Sequence, residues 1–185
     1  MILLVLGLAL WIFAHLFKRL MPDARAEMGD KGKGLVAVAI LASIVLMVIG
    51  YRAAEPVFLW FPPPFLTHLN NLLMLLAVYL FAVSGAKTRL SGIIRHPQLT
   101  AVKTWAVAHL LVNGDLASVI LFGGLLAWAV VSVILINKAE PAPARPAPAP
   151  IGKEIGVAVA AVVVYGLIGM VHGWLGYWPF PGGGM

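Results

Sequence analysis

The sequence predicts an all-α integral membrane protein, a single bundle of about six transmembrane helices over residues 1–185. Composition is the first reason. Hydrophobic residues make up 62% of the chain, charged residues 11%, and the mean hydropathy is +0.98. Soluble domains sit near half apolar and a quarter charged. The second reason is a series of apolar runs approaching the roughly 20 residues that cross about 30 Å of hydrocarbon. The third is charge placement: twelve of the thirteen Lys and Arg fall on alternate connections between those runs, the positive-inside pattern. No segment alternates apolar and polar residues as a membrane barrel strand must.

The first run is Ile2–Phe17. Its basic residues, Lys18 and Arg19, follow the apolar core, whereas a signal peptide carries them in front. A retained helix is therefore expected, although Ala24-Arg25-Ala26 faintly resembles a cleavage site. Leu35–Tyr51 is the second helix. Trp60, Phe61 and Phe65 then flank Pro62-Pro63-Pro64, as an interfacial aromatic belt or as a mouth for a hydrophobic ligand. His68–Val83 is the third helix. Leu99–Asn113, the fourth, is short and the most polar. "VNGDL" (112–116) is a tight turn in which Asp115 caps the fifth helix, Leu116–Ile136. The Pro/Ala segment "AEPAPARPAPAP" (139–150) is a linker of polyproline character. The sixth helix is Ile155–His172, followed by Trp174, Tyr177, Trp178 and Phe180 at the interface.

The basic residues orient this bundle. Lys18, Arg19, Arg25, Lys31 and Lys33 follow helix one; Lys87, Arg89, Arg95 and Lys103 follow helix three; Lys138, Arg145 and Lys153 follow helix five. Only Arg52 lies opposite. Both termini are thus expected outside, in the periplasm of a bacterium with an inner membrane, and the linker in the cytoplasm. The net charge of +6 reads as orientation rather than nucleic-acid binding; the bilayer is the expected partner. Absence of cysteine excludes disulfides, thiolate metal sites and covalently attached haem.

Ionisable side chains at membrane depth are costly and usually face the protein interior. His15 and His109 sit deep in apolar sequence. "WIFAH" (11–15) and "WAVAH" (105–109) echo one another, with Trp11 and Trp105 one turn before each histidine on the same face. Asn113 lies one turn beyond His109. Arg95 and His96 anchor the inner end of the fourth helix. Lys103 either neutralises an anion such as a haem propionate or extends to the interface. His68 and His172 read as interfacial.

Two buried histidines without a thiolate point to bis-imidazole ligation, and haem suits a bundle of apolar helices. The depths of His15 and His109 differ by on the order of 14 Å at 1.5 Å per residue. The second ligand to pair with His109 therefore stays open among His15, His68, His96 and His172. Gly166 and Gly169 permit helix contacts and hence a homo-oligomer.

The stretch "IIRHPQL…VKTWAVAHLLVNGDLAS" (93–118) closely resembles the NnrU family of bacterial inner-membrane proteins, as do "HLFKRLMP", "LWFPPP" and "HGW". The resemblance implies a role in denitrification and nitric-oxide metabolism, a gaseous or lipophilic small molecule as ligand, and association with denitrification proteins. Plant zeta-carotene isomerase is similar at greater distance. It implies haem b ligated by His15 and His109, and an alternative function as a membrane isomerase of a lipophilic polyene. The family's alternative cysteine ligand corresponds to Ala106, which argues against ligand switching here. Arg95-His96-Pro97 also resembles the isoprenylcysteine-type membrane methyltransferases, but their further C-terminal Arg and Glu have no counterpart after Glu154.

Overall fold

The computed structural model describes residues 1–141 and 149–181, so Arg145 and the middle of the Pro/Ala linker lie outside the described residues. Helix α1 spans Ile2–Leu20. A short helix not expected from the hydropathy pattern, α2 (Pro22–Glu27), follows at once, with Pro22 supplying the fixed φ of a first helical turn. Gly29 turns the chain at φ 52°, and α3 runs over Gly29–Arg52, beginning six residues ahead of its apolar core. Helix α4 covers Leu66–Ala86 and ends at Lys87 in the left-handed region. One 3-10 turn (Arg89–Gly92) leads to α5, Pro97–Val112, with His96 as N-cap and Pro97 in first position.

Asp115 starts the next helix as expected, its Oδ1 accepting from the Ser118 N–H at 2.9 Å. This helix comprises α6 (Leu116–Ser118), a π turn over Val119–Gly123 and α7 (Gly124–Ala139). The last, α8, spans Ile151–Trp174. No strand occurs among the described residues beyond a lone bridge between Phe58 and Asp115.

Among the described residues, five helical segments are long and apolar enough to cross a bilayer: Ile2–Leu20, Gly29–Arg52, Leu66–Ala86, Leu116–Ala139 and Ile151–Trp174. The expected fourth span is the exception. At 16 residues, α5 is about 24 Å long, short of a 30 Å core. Pro97 fixes its start and the Asn113-Gly114 turn fixes its end. It packs along α4 and α7 instead of relying on lipid contact, and Ala101, Ala106 and Ala108, all 0% exposed, let its neighbours approach closely.

The bundle has two distinct poles. At one, the Leu59 and Trp60 N–H groups donate to Gly114 O, and Asn71 donates to Pro179 O. Gly114 has no room for a Cβ against Trp60 O. At the other, Arg19 pairs with Glu140 at 2.9 Å, Arg95 donates to the carbonyls of Glu140 and Pro141, and Arg89 donates through its backbone N–H to Glu154 and through Nε to Ala149 O. The Arg19 guanidinium holds the Glu140 carboxyl below the usual carboxylate range. The ends of the linker are therefore tethered rather than free. Arg52 closes α3 at the first pole, apart from the basic clusters at the second.

Candidate functional site

Both sequence echoes become the same local device. His15 Nδ1 lies 3.0 Å from Trp11 O, and His109 Nδ1 lies 2.9 Å from Trp105 O. A carbonyl only accepts, so Nδ1 carries the proton in each ring. The Nε2 lone pair is left for a ligand, the arrangement in which metal-binding imidazoles are usually held. His172 is fixed the same way on Ile168 O, at 2.8 Å. His96 differs: its Nε2 lies 2.8 Å from Asn137 Oδ1. There it ties α5 to α7 beside the Arg95 contacts, the anchoring role expected for both residues.

The surroundings of the two deep histidines diverge. The His15 ring lies 4.0 Å from Trp11 and 4.7 Å from Trp128, centroid to centroid. It borders a cavity of about 450 Å³ between α1, α4, α5 and α7, whose walls include Leu16, Phe81, Leu99, Val102 and Ile136. That volume is within the roughly 300–1,000 Å³ of cofactor and small-molecule sites. Ser132 and Gln98 add hydrogen-bonding groups, and Arg19 stands at the basic end. Trp11 and Trp128 border the same cavity, and their indole Nε1 atoms are buried without a hydrogen-bond partner among the described residues.

His109 is packed instead. Its ring stacks on Phe122 at 4.6 Å and lies 5.0 Å from Trp105, which itself meets Phe122 edge-on. The π turn over Val119–Gly123 carries Phe122; such turns recur at functional sites. Asn113 does not point into a cavity but donates from Nδ2 to His109 O, at 2.8 Å, closing the end of α5. Lys103 is half-buried and lies roughly 120° round α5 from His109, on a different sector from Trp105 and His109.

His15 thus borders a largely apolar slot whose basic end holds Arg19, itself paired with Glu140, and its unbonded Nε2 is the donor there that could hold a metal. His109 has the right tautomer but not the open space. The structure adds Arg19, Trp128, Phe122 and Ser132 to the residues read from sequence. In sequence Arg19 reads only as part of the orientation pattern, and a Trp or Phe within an apolar helix carries no mark of its environment. Gly169 is filled by the chain's own Phe180, whereas Gly166 faces open space. Among the described residues, no group of three or more His, Cys, Asp or Glu is arranged to hold a metal ion; a haem iron needs only axial donors.

No curated protein and no solved structure matches the chain. Residues 3–179 match the family model described as NnrU protein, and the chain therefore belongs to the NnrU family.

Proposed function

We propose that the protein is a haem b-binding membrane protein serving nitric-oxide or nitrite metabolism in the bacterial inner membrane. The observation that carries the haem reading is His15: an imidazole with Nε2 free, bordering an apolar cavity whose basic end holds Arg19. His15 would ligate the iron, Arg19 would exchange its exposed partner Glu140 for a propionate, and Phe81, Leu99, Val102 and Trp128 would line the ring. The bound haem would supply redox chemistry or a site for a diatomic gas. His109 is the second axial candidate, and it joins only if Phe122 and Trp105 give way. The link to nitrogen oxides rests on family resemblance.

The test is haem content. Protein purified after expression with added haem precursor should carry close to one haem per chain, and His15→Ala should lose about tenfold or more of it, since one metal–ligand contact outweighs a typical packing contact. Full haem occupancy in His15→Ala, or none in the wild type, contradicts the reading. Deleting the gene from a denitrifying host should slow nitrite or nitric-oxide turnover; unchanged turnover removes the metabolic part alone.

A further inference from the structure

We propose that the groove between α1 and α3 at the basic pole is a binding site for one anionic phospholipid. The helices touch most closely at the opposite pole. There, a Cβ on Gly7 would lie 2.7 Å from Met47 N, and one on Gly50 would strike the Leu4 backbone. Toward the basic pole they open into a groove of about 420 Å³. Its walls divide by chemistry. Lys18, Arg25 and Lys33 ring one end, while Ala14, Val36, Ala37 and Ile40 form an apolar floor.

The cations are available. Lys18 is exposed. Lys33 meets Asp30 at 2.7 Å, but the two side chains are 75% and 92% exposed, so that pair is weak and readily exchanged for a phosphate. Arg25 uses one N–H on Gly29 O, at 3.0 Å, and retains others of its five donors. Basic pockets between membrane helices are where anionic headgroups dock.

The floor identifies the anion as a lipid rather than a free phosphate. From Ala37 the outward face of α3 continues through Leu41 (64% exposed), Ile44 (41%) and Val48 (51%) toward the other pole. These residues follow helical spacing and give an acyl chain a continuous apolar track. A phosphodiester at Lys18, Arg25 and Lys33 would place its chains on that track. His15 borders this groove as well as the cavity described above, so the lipid would lie against the outer side of the proposed iron ligand. The lipid site stands on its own residues and does not require haem.

Native mass spectrometry of the full-length protein in neutral detergent, titrated with phosphatidylglycerol or phosphatidylcholine, tests it. One phosphatidylglycerol should bind in preference to phosphatidylcholine. The combined substitution Lys18→Ala, Arg25→Ala, Lys33→Ala should weaken binding on the order of a hundredfold, from the loss of three cations near the surface. Ala37→Trp, which keeps every cation but fills the groove, should weaken it comparably and decides the matter should the triple variant not fold. Equal binding of the two lipids, unchanged binding in Ala37→Trp, or displacement of the lipid by millimolar inorganic phosphate would overturn the proposal; the last outcome would show a plain anion site.

Discussion

At the scale of single residues, geometry separates roles that sequence leaves together. His15 and His109 share a Trp one turn back, apolar neighbours in sequence and a protonated Nδ1. Only the partners contributed by other helices distinguish them: Trp128 and an open cavity for His15, Phe122 for His109. Those partners come from other helices, Trp128 from far along the chain and Phe122 from beyond a turn, so no local motif could reveal them. Asp115 shows the opposite case. It was legible as a cap because capping is local, and it also accepts from the Ser118 hydroxyl at 2.6 Å, while Tyr51 OH lies 2.8 Å from that same oxygen. Asp115→Ala should therefore lower stability by about 1–2 kcal/mol through the lost cap and the unsatisfied serine. Tyr51→Phe, removing one hydrogen bond, should cost less, about 1 kcal/mol. Denaturant unfolding in detergent checks both, and a larger loss in Tyr51→Phe would contradict this ranking.

At the scale of elements, hydropathy located all five helices that are long enough to span among the described residues, because a long apolar run in a bilayer has few alternatives to a helix; the expected fourth span is a helix too short for that length. It missed the ends. Helix α3 starts at Gly29 and α8 at Ile151, since backbone hydrogen bonding carries a helix past its apolar core. It also missed the π turn, which hydropathy does not encode, and α2, whose charged residues read as a connection. Close helix packing adds a second prediction. Gly50→Leu should force α1 from α3 and destabilise the fold by roughly 1–3 kcal/mol or more. Gly156→Ala, with nothing within 4 Å of its new Cβ, should be neutral or stabilising by up to about 1 kcal/mol. Thermal unfolding of the two variants provides the comparison; similar behaviour would contradict the close contact at Gly50.

At the scale of the whole molecule, the asymmetry of charge and the two-pole architecture agree. Arg19, Arg89 and Arg95 meet around the ends of the linker, so the basic pole is a spatial feature as well as a sequence pattern. Reporter fusions after Lys33, Arg89 and Arg145 should all report the cytoplasm, and a periplasmic signal at any of them would reverse the orientation. The short α5 packs along α4 and α7, and the expected arrangement with both termini outside requires it to cross with them. The proposed haem site at His15 is open to test by the absorption spectrum of purified variants. With His15 as the iron ligand, His109→Ala should retain haem, with at most a change from six- to five-coordinate bands, whereas His15→Ala should lose the haem spectrum. Haem retained in His15→Ala and lost in His109→Ala would contradict it.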